Sequence, residues 1–456
     1  MSTLVEELSG YVAALRYEDL PPAVIHQAKR LLIDTVGCAL GGYRSPTHDI
    51  AYALAGEVTS RRPTTAMVSG LQTTVDLATF VNGVMIRFLD YNDGYTSTGE
   101  SGHPSDSIAA ALSVAEMKQR TGRELLTAIV AAYEVFCRVC DAVDLKPIGY
   151  DHVTVGCMAS TAAAAKLLGL DGAQLQHAFN LGIAPNVALY QTRIGNVSMW
   201  KGCAYANASR NAVFAATLAS RGMTGPSPVF EGVGGYFKAV TRQPFTLAPL
   251  GGRGGEFKIM ECSIKRFPLG QYSQTVVEAA LELRGRIASP DDVAEIRIET
   301  VTTAIRLMAG DPDKWEPETR ETADHSMPYT VAVALVHGTV EEAHFDDHHL
   351  QDPVLRTLTR KVKVEATAEA DAEMPHAMLC RMRLVTRSGA VHEAVVRHHR
   401  GHYRNPMSDG EVEAKYRKLA GHAIAAGQAD RLLAALWRVD ELSDAGDIVR
   451  LTVEAK

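Results

Sequence analysis

The spacing of apolar residues changes twice along this chain, and that limits what it can fold into. After Pro21-Pro22, apolar side chains fall at Val24, Ile25, Ala28, Leu31, Leu32, Val36, Ala39 and Leu40. This is helical spacing, and Gly41-Gly42 closes it. "RELLTAIVAAYEVFCRVC" from Arg123 is apolar on most faces, which predicts a buried helix. "MASTAAAAKLLGL" from Met158 and "ANASRNAVFAATLASRGMTG" from Ala206 are rich in small residues, so their axes can approach closely at the centre of a bundle. From about Pro226 to Gly255 the pattern dissolves into Gly, Pro and aromatic residues, as in a long connecting segment. Period two then takes over in "VAEIRIETV" from Val293 and "KVKVEA" from Lys361. "LCRMRLVTRSGAVHEAVVRH" reads as two strands turning at Ser388-Gly389. "SQTVVEAALELRGR" and "SMPYTVAVALVHG" are helical in spacing, and Ser408 with Glu411 makes a capping box for a further helix near the end.

The fold class expected is therefore mainly α. A large all-helical domain is built from both ends of the chain, residues 1–266 plus 399–456, with a smaller α+β domain inserted at 267–398. The terminal helices are too short to stand alone and need the N-terminal bundle as partner. A chain of 456 residues is long enough for this division.

Charge narrows the function. A net charge of −7 disfavours a general nucleic-acid surface but leaves room for a local basic pocket. "MSTLVEELSGYV" lacks the basic start and apolar run of a secretory leader, and no apolar stretch of about 18 residues suggests a membrane span. Seven scattered cysteines suit reduced thiols, so a cytoplasmic setting is expected.

Several motifs carry little. Cys137 and Cys140 sit within an apolar helix without a second pair and read as core thiols. "GGRGGEF" at Gly251 lacks the Lys-Ser/Thr and strand–helix setting of a phosphate loop. The histidines of "HFDDHHL" and "RHHRGH" are adjacent rather than helically paired, so surface or interdomain contacts are expected and no metal.

Four polar islands remain at otherwise apolar places. "YNDGYTSTGESGHPSD", Tyr91 to Asp106, separates two apolar stretches and holds Asp93 and His103, with Asp90 just ahead of it. "GYDHVTVG" holds His152, "SMWKGCAYANASRN" holds Lys201, and "CSIKRFPLGQYSQ" holds Lys265. Taken singly, each histidine reads as a cap and each lysine as a solvated charge. Together they form a kit for proton transfer on a polyanion. Lysines hold carboxylates, and histidines exchange protons near neutral pH.

These stretches, with "IAPNVALYQTRIGNVSMWKGCAYANASRNAVFAATLASRGMTGP" and "TRETADHSMPYTVAVAL", resemble the MmgE/PrpD family over nearly the whole chain. "LDYND", "GHPSD", "SMWKGC" and "DHSMPY" are most similar to its 2-methylcitrate dehydratase branch. The resemblance implies a helical domain built from both chain ends, an inserted lid domain and a homodimer. It implies a metal- and cofactor-independent hydro-lyase acting on a di- or tricarboxylate in propionate metabolism. His152, His103, Asp90 and Tyr329 take catalytic roles on this view, and Lys201, Lys265, Asp93 and Ser105 hold substrate. Decarboxylation or epimerisation of a related polycarboxylate are the alternatives, and a non-catalytic polycarboxylate-binding protein is the alternative of another class. Two departures stand out. Gly94 occupies a position where many relatives carry threonine, and Gly270 falls where the decarboxylase branch carries histidine.

Overall fold

A computed structural model describes residues 2–453. The fold is mainly α. Helices Pro22–Gly41, Val75–Phe88, Gly122–Ala142, Val153–Leu168 and Trp200–Ala219 form its larger part. The two Ala-rich helices, Val153–Leu168 and Trp200–Ala219, are buried along most of their length and pack against each other. Small residues permit this. Ser160 and Ser209 share a hydrogen bond of 2.8 Å across them, and Val75–Phe88 approaches Trp200–Ala219 as closely, since a Cβ added to its Gly83 would lie 2.9 Å from the Cβ of Ala206. Larger residues there would force the helices apart.

One hydrophobic cluster draws on residues from Leu4 to Ile264 and again from Met407 to Val449. The helix Asp409–Ala420 contributes its inner face to this cluster and packs on Pro22–Gly41. Its Lys415 reaches the buried Asp34 at 2.6 Å, and Tyr416 covers Gly37. The capping box at Ser408 and Glu411 starts this helix.

A second cluster runs from Phe267 to Ala394. Its sheet has the order Val362–Ala366, Val293–Thr300, Cys380–Thr386, Val391–Val396. The first pair is parallel and the other two pairs are antiparallel. Cys380, Met382 and Leu384 point inward at alternate positions, which the period-two pattern requires. Helix Gln274–Arg284 covers this layer, and Met327–His337 packs on that helix. Gly389 turns the hairpin at φ 85°, a conformation that glycine adopts without strain.

The segment from Pro226 to Gly255 holds only one short helix, Tyr236–Ala239. All seven cysteines are buried and free. Among the described residues, no helix is long and apolar enough to cross a membrane.

Candidate active site

Between the two hydrophobic clusters lies a cavity. The larger unit supplies Arg87, His103, His152 and Arg193 to its wall, and the smaller unit supplies Gln271 and His325.

The polar stretch after Val75–Phe88 is ordered rather than loose. Asp90 ends that helix in the left-handed region, φ 51°, and the chain then folds back on itself. Tyr95 and Gly102 exchange backbone hydrogen bonds at 2.8 and 3.1 Å, and Gly94 does the same with Ser263 at 2.9 and 2.8 Å. Asp90, Asn92, Asp93 and Glu100 are fully buried, so their partners decide whether the stretch is tolerable. Asp93 accepts from the Ser105 hydroxyl at 2.5 Å and from the Tyr133 hydroxyl at 2.8 Å. These contacts fasten the loop and occupy both residues.

The loop delivers His103 to the cavity. Its Nδ1 lies 2.6 Å from the carbonyl oxygen of Asp93, so Nδ1 carries the proton and Nε2 keeps a lone pair. His152 precedes the helix Val153–Leu168, and its Nδ1 lies 3.0 Å from Asp151. That carboxylate also accepts from Arg193 at 2.8 Å. The buried Nε2 of His152 has no hydrogen-bond partner. The two imidazoles sit 5.5 Å apart, centroid to centroid, at 74°. Gly102 makes this approach feasible, because a Cβ there would lie 2.5 Å from the His152 ring.

Burial drives the His152 imidazole down to about 4, with Asp151 acting in the opposite direction. His103 is held well below the ordinary range, first by burial and then by Arg87 and Lys265. Both rings are therefore neutral near pH 7, which is the form that accepts a proton.

Asp90 stands behind this wall. It pairs with Arg87 at 2.7 Å, Lys265 at 2.5 Å and Lys201 at 3.1 Å. Burial alone would raise its carboxyl, but Arg87, Lys265 and Lys201 outweigh that and hold it well below the usual carboxylate range. Lys201 also reaches Asp324 at 2.5 Å. Lys201 and Lys265 thus neutralise buried carboxylates and do not line the cavity. The cavity wall instead holds Arg87, Lys146 and Arg193. One donor on this wall, Arg193 Nη2, is buried without a hydrogen-bond partner, and Arg87 Nε faces the buried Asp106 carboxylate at 3.5 Å.

Tyr329 is not brought to the cavity. It lies in the second cluster, and its hydroxyl donates to the carbonyl of His344 at 2.6 Å. Ser105 and Asp93 bind each other, as described, and are also absent from the wall.

Sequence reasoning passed over His325 and both arginines. His325 lines the cavity with Nδ1 at 2.6 Å from Asp324 and 3.3 Å from Asp90. Burial lowers it to about 4. The signal for Arg87 was a cation inside an otherwise apolar helix, "VNGVMIRFL", which has to find a buried acid.

The model of the MmgE/PrpD N-terminal domain matches residues 6–248, and that of the C-terminal domain matches residues 267–441. The chain belongs to the MmgE/PrpD family. A family member from Cupriavidus necator named 2-methylcitrate dehydratase is 30% identical over 76% of this chain and 74% of its own length. The 2-methylcitrate dehydratase of Escherichia coli K12 is 29% identical over 78% of this chain and 76% of its own length. The human cis-aconitate decarboxylase is 23% identical over 99% of this chain and 95% of its own length.

Gly94 and Gly270 each have a local explanation. A Cβ at Gly94 would fall 1.3 Å from the amide oxygen of Gln271, whose nitrogen donates to Thr96 at 2.8 Å. Gln271 thus fills the space of a side chain at 94. At Gly270, a Cβ would lie 2.6 Å from the methyl of Met308 and 3.4 Å from His325 Nε2, so these two residues occupy that corner of the cavity.

Asp90, Asp324 and His325 are also close enough together to suit a metal ion. The ammonium groups of Lys201 and Lys265 and the guanidinium of Arg87 already supply positive charge to that spot. A further cation there would meet repulsion from three fixed charges.

Asp93 gives a pH prediction. Burial raises its carboxyl to about 6, while an unfolded chain returns it to the ordinary value near 3.9. A raised folded value means that the stabilising contribution is complete below about pH 4. It is lost as pH rises through about 6. Asp93→Asn, which can donate to the Tyr133 oxygen and accept from Ser105, lacks this dependence. Relative to wild type, the variant should gain up to about 3 kcal/mol between pH 4 and pH 8. Denaturant midpoints at the two pH values measure this, and equal differences at both would refute it.

Proposed function

We propose that this protein is a lyase that dehydrates a hydroxy tricarboxylate resembling 2-methylcitrate, with proton transfer carried by the cavity histidines. The observation that carries the reading is His152. It is a buried, neutral imidazole whose Nδ1 is held by Asp151 and whose unpaired Nε2 belongs to the wall of a cavity lined by arginines. The names of the relatives supply the substrate class.

Dehydration removes a proton from the carbon alpha to one carboxylate and expels hydroxide from the neighbouring carbon. His152 Nε2 takes the proton, and the C–H electrons begin to load the carboxylate as a dianionic aci-form. Arg193, with an unused N–H group, and the nearby charge of Arg87 stabilise it. The electrons then form the carbon–carbon double bond as the C–O bond breaks. The leaving oxygen must be protonated to depart as water. His103 stands opposite His152 and is placed for that step. The bound polyanion favours its protonated form by bringing negative charge close to it. Lys201, Lys265 and Asp90 keep the wall rigid from behind.

The test mixes purified protein with 2-methylcitrate, citrate and cis-aconitate and follows the ultraviolet absorbance of the unsaturated product, together with carbon dioxide release. Dehydration of 2-methylcitrate in preference to the others is the expected result. Carbon dioxide release from cis-aconitate would replace the dehydratase reading with decarboxylation. Saturable binding of all three without turnover would leave a binding protein.

A further inference from the structure

We propose a second ligand site, for a divalent transition ion of the zinc type, formed by His337, His344 and His349 on the smaller unit. One potential ligand atom from each of these histidines lies within 4.8 Å of the others. They come from three successive pieces of chain. His337 ends the helix Met327–His337, His344 lies in the turn Glu342–Phe345, and His349 lies in the turn Asp347–Leu350. Of the histidines on this stretch, only His348 and His349 are adjacent in sequence. The fold replaces that adjacency with a convergence in which His337 and His344 stack at 4.4 Å and His349 meets both edge-on.

The chemistry of the three rings suits such an ion. Imidazole nitrogen is a favoured ligand of Zn²⁺, Ni²⁺ and Cu²⁺. Tetrahedral zinc with Zn–N bonds of about 2.0–2.1 Å sets its ligand atoms roughly 3.3–3.4 Å apart. His337 is exposed and His344 and His349 are partly so, which leaves room for small side-chain rotations to close the remaining gap. His349 is already oriented. Its Nδ1 donates to Asp346 at 2.7 Å, which leaves Nε2 as the ligand atom and provides the carboxylate support that metal-binding histidines commonly have. His344 Nδ1 accepts from the Glu341 N–H at 3.0 Å, so ligation through Nε2 requires this ring to exchange tautomers and release that contact. His337 has no hydrogen bond to give up among the described residues. A solvent molecule completes the fourth position.

None of the three histidines lines the cavity between the two units. Their connector holds Glu341 and Glu342, which pair with Lys418 of the helix Asp409–Ala420 at 3.2 and 3.6 Å. A bound ion therefore ties down the stretch of the smaller unit that contacts the larger one. Its role is to clip this connector, separately from the chemistry proposed for the cavity.

The experiment uses full-length protein without a histidine tag, stripped with chelator and titrated with Zn²⁺ by calorimetry. One saturating equivalent with micromolar or tighter affinity is expected, accompanied by a higher melting temperature. His337→Ala and His349→Ala should each abolish the saturable phase and the thermal shift. Asp346→Asn keeps the cap on the following turn but loses the carboxylate, and should weaken binding by about 10–100-fold. Circular dichroism checks that each variant folds, and any one folded histidine variant suffices for the decision. Absence of saturable binding in wild type, or an unchanged isotherm in the histidine variants, overturns the site. Either outcome leaves the reading of the cavity untouched.

Discussion

His152→Gln is expected to lose about 100-fold or more in turnover of the preferred tricarboxylate while folding normally and still binding it. Glutamine can keep a hydrogen bond to Asp151, which now holds Nδ1 at 3.0 Å. It has no nitrogen lone pair that accepts a proton near neutral pH. The unpaired Nε2 is the feature lost. The ring also packs against Gly102, and glutamine leaves a slightly looser contact there without introducing a charge. The loss should therefore appear in kcat, with ligand affinity largely kept. Asp151→Asn provides the partner measurement. An amide donor facing Nδ1 favours the opposite tautomer and should cut turnover with the imidazole still present. Product absorbance measures both rates, and thermal melting checks both folds. A folded His152→Gln enzyme with normal turnover would assign the proton transfer to another group.

Lys265→Ala should lower stability by about 3–5 kcal/mol, the range for removing one member of a buried ion pair. Lys265 is fully buried, and its ammonium contacts both the carboxylate and the carbonyl of Asp90 at 2.5 and 2.8 Å. Alanine leaves Asp90 with Arg87 and Lys201 but strips the carbonyl of its partner and opens a hole the length of a lysine. Asp90 in its left-handed conformation depends on those contacts, so the polar loop beyond it should loosen as well. Urea unfolding measures the loss. A variant as stable as wild type would mean that water enters and replaces the ammonium. The sequence-based expectation made this lysine a holder of substrate, but its geometry makes it a part of the wall's foundation.

That difference shows what a linear sequence can convey. Val293–Thr300 and Cys380–Thr386 were legible because each has one buried face, and the pleat writes that directly as alternation. The helix Asp409–Ala420 was legible because its cap is local, three residues from Ser408 to Glu411. His103 and His152 could be singled out as polar residues in apolar company. The depth of each charge could not. Whether Lys265 meets a ligand or Asp90 depends on a contact across 175 residues. His325 was hidden for the same reason, since its two carboxylate partners lie on different units of the fold. Asp93 and Ser105 carry polar groups suited to a substrate, and only the folded loop reveals that they have already satisfied each other.

Gly94 and Gln271 constrain the order in which a lineage can change this cavity. With the Gln271 amide 1.3 Å from where a Cβ at 94 would sit, any side chain gained at 94 first displaces that amide and its bond to Thr96. Shortening residue 271 beforehand empties the space, and a hydroxyl-bearing residue at 94 can then enter without a collision. The two substitutions are thus unequal as first steps, although their double mutant is the same. A descendant with a different polar group on this wall is reached through position 271, and the history of such a change is contingent on that sequence of events.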